Sequence, residues 1–446
     1  MTNLRFFLVN KLVLFFVFTL MLISCNEQEQ LMTQDYSLES ENSGKLITEI
    51  NPLEYFISMQ HSLISTNSYH SAVIMNDGSL WTWGENGAGQ LGDGTNIDRL
   101  TPVQVGKETD WISVAVGRNF TVALRRNGSL WAWGTHRDGE LGLGDFFNVE
   151  IEHELERERI LCTCLTGRVG TFCVNVPVQV GTGTDWASIS VGNGHTLALK
   201  TDGSLWAWGQ NRFRQLGDGE YDRYMSRRTP IQIGTDVDWA YIAAGALYSM
   251  AIKTDGSLWG WGHNGRGLLG DGTVDDTQSL GPTRPIQIGT DTDWVSVSTG
   301  SSHTMAIRSD GSLWGWGSNS NGLLGDGSEE SYRNVPVQIG TETDWSRVVV
   351  GNGFTVALKV DGSLWTWGAN EYGKVRDDTF ENRVIPEQIG TETDWEHVTA
   401  SNGSRYSTIA LKADGTFWVR GANGYGQLGD NTFENRTNPM QIMPAR

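Results

Sequence analysis

An eight-residue phrase rich in tryptophan and glycine occurs seven times in this 446-residue chain, with two Trp in six copies and one in the seventh. The first copy reads Asp77-Gly-Ser-Leu-Trp-Thr-Trp-Gly84. The first Trp of the phrase recurs at intervals of 50 to 55 residues, apart from one interval of 75 residues. A fixed period of this length is typical of repeat folds, in which each repeat is one supersecondary unit that packs against its neighbours. The copies begin at Asp77, Asn127, Asp202, Asp255, Asp310, Asp361 and Asp414.

A second phrase, Asp-Trp followed by alternating apolar and small residues, precedes six of the seven copies. Such alternation is typical of a half-buried strand, and the Asp-Gly or Asn-Gly pair before each Trp is typical of a tight hairpin. The unit at Asp110 therefore reads as four strands, at Ile112–Val116, Thr121–Leu124, Ser129–Trp133 and Val178–Val180. Four-stranded units without helical periodicity predict an all-β, seven-bladed β-propeller of four-stranded blades, with a linear β-solenoid as the alternative.

The first 24 residues have the pattern of an export signal. Arg5 and Lys11 flank the start of an apolar stretch, Leu12 to Ile23, which is shorter than a membrane-spanning helix requires. The stretch ends Leu-Ile-Ser-Cys25, which resembles the bacterial lipobox. We therefore expect residues 1–24 to be a lipoprotein signal peptide and Cys25 to be lipidated, with an ordinary signal peptide as the alternative.

Residues 25–53 are polar and hold too few large apolar side chains to bury a core. We expect them to be a disordered tether between Cys25 and a propeller that covers residues 54–446. Because Asn26, and not Asp, follows the cysteine, the usual bacterial sorting rule favours the outer membrane. The sequence thus predicts an outer-membrane lipoprotein of the bacterial cell envelope, on its periplasmic or its external surface.

The formal net charge is −19. Proteins that hold nucleic acid neutralise its phosphates with Lys and Arg, and no basic run in this chain is long enough to do so. We therefore expect the membrane lipid anchor and an unidentified protein as partners, and no nucleic acid. We expect no cofactor.

One repeat unit carries an insertion at about residues 146–175, which contains three of the four cysteines. Cys162, Cys164 and Cys173 could hold zinc together with His153, but neither their spacing nor an exported location suits a structural zinc site. In an oxidising compartment we expect a disulfide between Cys173 and either Cys162 or Cys164, and no metal.

Residue types that often carry chemistry occupy fixed repeat positions here. His195 and His303 share their position with Phe120 and Tyr248 in other units, which indicates packing and not catalysis. Loop aspartates such as Asp271 are interpreted as turn formers, with calcium binding as the alternative. All nineteen Trp residues belong to the two repeated phrases and are interpreted as part of the scaffold. We expect no enzymatic activity.

The repeats resemble those of the regulator-of-chromosome-condensation family, whose signature combines Gly-x-x-His-Thr-x-Ala-Leu, Asp-Gly-x-x-x-x-Trp-Gly and Gln-Leu-Gly. The resemblance extends over residues 54–446 and implies a seven-bladed propeller that is commonly used as a protein-binding platform. The matching stretches include Gly192–Leu199, Gly300–Ile307, Gln90–Gly92, Gln215–Gly217 and Gln427–Gly429.

Three activities are linked to this family: nucleotide exchange on a small GTPase, ultraviolet sensing, and tight protein binding, which includes inhibition of β-lactamase by a secreted bacterial member. An exported protein would not meet a cytosolic or nuclear GTPase. Plant ultraviolet sensors carry Gly-Trp-Arg-His-Thr, whereas the corresponding stretches here are Gly117-Arg-Asn-Phe-Thr121 and Gly192-Asn-Gly-His-Thr196. The resemblance therefore favours protein binding.

Only residues that differ between the units are free to form a specific site. The most distinctive loop combines Asn211–Gln215 with Tyr221–Arg228. Its Arg and Tyr content matches the residue types that are enriched at interface hot spots. The candidate partner-binding residues are Arg212, Phe213, Arg214, Tyr221 and Tyr224.

We therefore expect a non-enzymatic protein–protein interaction module that acts as a monomer at the cell envelope. A carbohydrate-binding surface adhesin is the first alternative. An envelope hydrolase is the second, although the sequence offers no nucleophile–base–acid set. We also expect the N-terminal strands near Ile57–Ile64 to pair beside Pro439–Ile442 and close the ring.

Overall fold

A computed structural model describes residues 62–145, 161–163, 172–220, 226–275, 280–370, 381–403 and 406–443. The predicted signal peptide, Cys25 and the predicted tether lie outside these ranges. Two single-turn 3-10 helices, Gly265–Gly267 and Ser320–Gly322, interrupt a chain that is otherwise made of strands and loops over the described ranges. A helix with the length and apolar character needed to cross a membrane is not found in this part of the chain.

The strands form seven antiparallel sheets in chain order, and each sheet is one blade. The prediction of an all-β, seven-bladed β-propeller is confirmed. Blades one to three contain β1 (Ile64–Thr66), β2 (His70–Ile74), β3 (Leu80–Gly84) and β4 (Arg99–Gln104); β5 (Trp111–Val116), β6 (Phe120–Arg125), β7 (Leu130–Thr135), β8 (Leu161–Thr163) and β9 (Phe172–Gln179); and β10 (Trp186–Val191), β11 (His195–Lys200), β12 (Leu205–Gly209) and β13 (Arg227–Gln232).

Blades four to seven follow the same order. They contain β14 (Trp239–Ala244), β15 (Tyr248–Lys253), β16 (Leu258–Gly262) and β17 (Ile286–Gln287); β18 (Trp294–Thr299), β19 (His303–Arg308), β20 (Leu313–Ser318) and β21 (Tyr332–Gln338); β22 (Trp345–Val350), β23 (Phe354–Lys359), β24 (Leu364–Gly368) and β25 (Arg383–Ile389); and β26 (Trp395–Ala400), β27 (Ser407–Lys412), β28 (Phe417–Gly421) and β29 (Arg436–Met443).

The second blade departs from the four-stranded prediction because its insertion supplies a fifth strand. β8 pairs with β9 at the edge of the sheet, so that the backbone of Cys162 lies opposite that of Cys173. Cys173 is buried and disulfide-bonded. The side chains of its two predicted partners, Cys162 and Cys164, lie outside the described part of the chain. The described part of the insertion therefore extends the blade by one strand.

The repeated Asp-Gly or Asn-Gly pair forms a three-residue hairpin loop. In the first blade, the Gly78 N–H donates to the Met75 carbonyl at 2.8 Å, and the Met75 N–H donates to the Ser79 carbonyl at 2.9 Å. Within the loop only Gly78 has a positive φ, of 76°, so the turn is of type I closed by a glycine bulge. The Ser79 hydroxyl donates to Asp77 and accepts from the Trp81 indole, which fixes the Trp ring.

The tryptophan of each Asp-Trp phrase packs against one or both of the other Trp rings of its blade. The charged end of a Lys or Arg side chain lies over these rings. In the second blade Trp111 lies 6.2 Å from both Trp131 and Trp133. The Arg125 guanidinium lies 4.6 Å from the Trp111 ring and 4.4 Å from the Trp131 ring, and contacts Asp110 at 3.5 Å. The equivalent cations of the following blades are Lys200, Lys253, Arg308, Lys359 and Lys412.

Neighbouring blades are joined by a hydrogen-bonded seam. The carbonyl of Gln90, in the first blade, accepts from the Thr121 hydroxyl at 2.8 Å and from the Trp133 indole at 2.9 Å, both in the second blade. The Thr121 hydroxyl lies 2.9 Å from Nε2 of His70 in the first blade. Because that hydroxyl gives its own proton to the carbonyl, His70 Nε2 carries the proton of the His–Thr bond.

The same indole-to-carbonyl bond closes the ring. Trp83 of the first blade donates to the Gln427 carbonyl of the seventh blade at 2.8 Å. The first and last blades are therefore joined by the contact that joins blades within the chain. The corresponding donor and acceptor pairs elsewhere are Trp208 with Glu140, Trp261 with Gln215, and Trp316 with Leu268.

The predicted pairing of strands near Ile57–Ile64 beside Pro439–Ile442 is not found for the described end of that segment, and residues 57–61 lie outside the described residues. β1 pairs with β2 in the first sheet, and β29, which contains Pro439–Ile442, pairs with β28 in the seventh sheet. The seventh repeat supplies all four of its own strands, so its sheet is complete without a strand from the N-terminal segment. Over the described residues, no sheet mixes strands from the two ends of the chain.

Replacing Gly92 by alanine should destabilise the fold more than replacing Gly181 by alanine. Both glycines have a positive φ, of 72° and 64°, so an alanine at either position costs about 1–2 kcal/mol in backbone strain. A Cβ at residue 92 would lie 2.6 Å from the Trp133 indole nitrogen, whereas a Cβ at residue 181 would meet nothing within 4 Å. Overpacking adds about 1–3 kcal/mol.

Urea unfolding of Gly92→Ala and Gly181→Ala measures this difference. We expect the larger loss of unfolding free energy for Gly92→Ala. Equal losses in the two variants would show that close packing of the Trp133 indole on Gly92 does not contribute to stability.

Candidate functional site

The predicted partner-binding residues belong to the connection between β12 and β13 in the third blade. Arg212, Phe213 and Arg214 are described, whereas Tyr221 and Tyr224 lie outside the described residues. Arg212 is exposed, and Phe213 and Arg214 are half-buried. Within the described residues the Arg212 side chain makes no hydrogen bond or ion pair, so it is available to a partner.

Phe213 and Arg214 both contact the fourth blade. Arg214 Nη1 donates to the carbonyls of Leu280 at 2.5 Å and Gly281 at 2.8 Å. The Phe213 ring packs edge-to-face on His263, with 5.4 Å between ring centroids. These contacts anchor the loop on its neighbour and hold the adjacent Arg212 at the surface. Their role in packing was not predicted from the sequence.

Arg214 stands at a position where other blades have glycine. Its φ of 66° is in the left-handed region, which is strained for any residue with a side chain. In the first blade the equivalent Gly89 packs so tightly on β9 that a Cβ would lie 2.7 Å from Asn175. The fourth blade has only a two-residue outer strand, β17, and the backbone before it accepts the Arg214 guanidinium instead. Alignment of the seven units would have revealed this departure from glycine.

The loop aspartates form compact turns within each blade. In the first blade Asp93 accepts from the Thr95 N–H and hydroxyl, from Asn86, and from Arg99. Burial raises the pKa of Asp93, but the hydrogen bonds from Thr95 and the Arg99 guanidinium lower it further than burial raises it. These carboxylates therefore have their oxygens occupied by protein donors. The same Asp–Arg pair recurs as Asp218–Arg227, Asp326–Arg333 and Asp430–Arg436.

Side chains arranged to hold a metal are not found in the described ranges, where no group of three or more His, Cys, Asp or Glu converges. The aspartate clusters of the loops are interleaved with Arg, Asn and Thr donors, and the insertion cysteines other than Cys173 have no described side chains. The described chain thus offers no metal centre around which a catalytic site could be built.

The repeated histidines lie inside the seams. His195 Nε2 lies 3.0 Å from the Ser249 hydroxyl, and His303 Nε2 lies 2.8 Å from the Thr355 hydroxyl, each in the next blade. Tyr248 occupies the same repeat position, with its hydroxyl 2.7 Å from Thr304. Burial lowers the pKa of His195 and His303 to about 3, so both rings are neutral at neutral pH. Their contacts are those of blade packing.

Replacing His195 by Phe, the residue type found at this position in two other blades, should reduce the acid sensitivity of the fold. The unfolded chain takes up a proton at His195 below pH 6.5, whereas the folded chain does so only near pH 3. Stability therefore decreases as pH falls through this window, by about 1.4 kcal/mol per pH unit for each such histidine.

Urea unfolding at several pH values between about 4 and 6 compares the slopes of stability against pH. We expect a slope about 1.4 kcal/mol per pH unit smaller in His195→Phe than in the wild type. Burial raises the pKa of Glu140 to about 7, which gives a slope of the opposite sign, but this contribution is common to both proteins. Identical slopes would show that His195 takes up its proton equally in both states.

The blades and seams define a repeat-built β-propeller. A family model for the regulator of chromosome condensation (RCC1) repeat matches five consecutive stretches of the chain, and a second model of the same repeat matches six shorter stretches between residues 62 and 374. The chain belongs to the regulator of chromosome condensation (RCC1) repeat family. The five stretches are 77–124, 127–199, 202–252, 255–307 and 310–358.

The chain is 28% identical over 378 residues to the ultraviolet-B receptor UVR8 of Arabidopsis thaliana, covering 84% of this chain and 80% of the receptor. It is similar in fold to Prp20p of Saccharomyces cerevisiae, with a TM-score of 0.68 at 20% identity. The match covers 89% of this chain and 90% of Prp20p. The Prp20p structure was described together with its binding to Gsp1p and histones. A structure of Kap60 bound to yeast RCC1 (Prp20) matches with a TM-score of 0.69 at 18% identity over 94% of this chain and 91% of the other. At these identities the two structures show the fold alone.

Proposed function

We propose that this chain is a non-enzymatic protein-binding propeller held at a bacterial cell envelope by a lipid on Cys25. The observation that carries the proposal is a difference between the repeated and the unrepeated residues: the first serve blade packing, and some of the second are exposed. Repeated side chains such as His195 and Trp133 are taken up by seams between blades, whereas the unrepeated Arg212 is exposed and unpaired within the described residues. The yeast relative Prp20p, which binds Gsp1p and histones, supports a protein as the partner.

The third-blade loop is suited to binding because its neighbours hold it in place. Binding costs about 0.5–1.5 kcal/mol for each flexible side chain that becomes immobilised. Phe213 rests on His263 and Arg214 is tied to the Leu280 carbonyl, so much of this ordering is complete before a partner arrives. Arg212 then offers a planar guanidinium beside a partly exposed aromatic ring, a combination that is enriched at hot spots.

The Trp rings favour a protein partner over the carbohydrate alternative. The second Trp of six repeat phrases is fully buried, as for Trp133 and Trp261. In five of these phrases the first Trp lies beneath a Lys or Arg side chain, as for Trp131 beneath Arg125. Sugar-binding sites of adhesins use exposed aromatic rings, and these rings are covered. The His–Ser and His–Thr pairs of the described residues, such as His195 with Ser249, are fully buried in the seams between blades, so they do not favour the hydrolase alternative.

Arg212→Ala and Phe213→Ala should each weaken partner capture by about tenfold or more, because hot-spot truncations cost about 2 kcal/mol. The measurement is crosslinked capture from the native envelope with identification by mass spectrometry, followed by titration of the protein recovered. Arg126→Ala is the matched control, because this exposed arginine lies on the β6–β7 turn, at the opposite end of its blade from the loops. Capture that is unchanged in both loop variants, or lost equally in the control, would contradict the proposed face.

Cys25→Ala should abolish lipid attachment and release the protein from membranes. The thiol of the lipobox cysteine is the group that the lipid occupies, so alanine leaves no attachment point. Metabolic labelling with an alkynyl fatty acid and fractionation of the envelope measure both effects, with Cys164→Ala as a control. Labelling that persists in Cys25→Ala would contradict the anchor.

A further inference from the structure

The first strands of the seven blades surround a central channel of about 250 Å³. Its wall is almost wholly neutral, with serine, threonine, valine and alanine side chains predominating. Serine hydroxyls join adjacent first strands, as where the Val350 N–H donates to Ser298 and the Ala244 N–H donates to Ser190, both at about 3 Å. The described residues of the wall are therefore uncharged, with one exception.

The exception is Arg347 on β22, the single ionised side chain among the described residues that line the channel. No hydrogen bond or ion pair to it is found in the described part of the chain. The equivalent position of three other blades is a serine: Ser113, Ser188 or Ser296. Arg347 is half-buried, and a partly desolvated charge without a counter-ion is unfavourable, so packing alone gives no reason for an arginine here.

Two polar rings from other blades lie within electrostatic range of the Arg347 guanidinium. Burial raises the pKa of the Tyr241 hydroxyl, on β14, and Arg347 opposes that rise. Burial and, to a lesser extent, the charge of Arg347 together lower the pKa of His397, on β26, to about 3. Tyr241 and His397 occupy the same repeat position as Arg347, so three blades converge on one level of the channel.

We propose that the channel binds a carboxylate at Arg347, with the Tyr241 hydroxyl as a second donor. A guanidinium presents parallel N–H donors that match the two oxygens of a carboxylate. Tyr241 remains protonated and can donate, and neutral His397 adds no competing charge. Neither group supplies the counter-ion that Arg347 lacks.

A monoanion fits this site better than a phosphate. One guanidinium neutralises one negative charge, whereas a phosphate dianion would leave a charge uncompensated against a neutral wall. The carboxylate could belong to a small free acid or to an acidic side chain of a bound protein. The site lies on the first strands and does not involve Arg212 or Phe213, so it stands independently of the proposed partner face.

Isothermal titration with propionate, a monocarboxylate, and separately with an acetylated and amidated Gly-Glu-Gly peptide, tests the proposal. We expect saturable binding of at least one probe to the intact chain. Binding of propionate alone indicates a free acid, and binding of the peptide, alone or with comparable affinity, indicates an acidic side chain; both outcomes support a carboxylate site. Absence of saturable binding of either probe overturns the proposal.

Four variants locate the binding. Arg347→Ser, which introduces the residue of the equivalent positions, should weaken binding by at least about tenfold, and Tyr241→Phe by about three- to tenfold. Arg284→Ser removes an exposed arginine outside the channel and should bind as the wild type does. Arg347→Lys, which keeps the charge, should retain part of the affinity. Thermal melting of both variants shows whether a loss of binding in Arg347→Ser results from a folding defect. Unchanged binding in Arg347→Ser overturns the assignment.

Discussion

The bond from the indole N–H of one blade to the loop carbonyl of the preceding blade is the contact on which the ring depends. The carbonyl of Gln90 accepts both Trp133 and Thr121 of the next blade, so one peptide group fixes a ring and a strand together. The loop can approach the indole so closely only because Gly92 has no side chain. Trp, Thr and Gly of the repeat are thus required by one another, which explains why they recur as a set. The seams are not equivalent, however, because the Trp367 indole meets no acceptor among the described residues and Arg420 stands in place of the seventh such Trp.

Much of the fold follows from local signals in the sequence. Alternation, hairpin glycines and the period fixed the number of blades and the approximate positions of their strands, because these features depend on neighbours within one repeat. Contacts between repeats were not accessible in this way. The bond that closes the ring joins residues 344 positions apart, Trp83 and Gln427, and the insertion adds a fifth strand that obeys no repeat pattern.

The candidate site shows the same limit. Residue type alone led to the prediction that Arg212, Phe213 and Arg214 bind a partner. It could not show that Arg214 adopts a left-handed conformation and is bound by the backbone of the next blade. The sequence analysis overlooked Arg347 because an arginine in a predicted strand is not unusual. It becomes unusual only when the structure shows that its strand lines a neutral channel. Departures from the repeat become informative once the structure shows what each one faces.

The proposed function assigns partner binding to a few unrepeated residues that are distinct from the repeated scaffold. Replacing Arg212-Phe213-Arg214 by the Gly-Ala-Gly of the equivalent first-blade loop tests that separation most directly. The seams do not involve these side chains apart from the anchoring of the loop, so the account predicts an unfolding free energy within about 2 kcal/mol of the wild type and loss of the captured partner. Retention of the partner by the exchanged loop, measured by titration of the purified pair, would contradict the account.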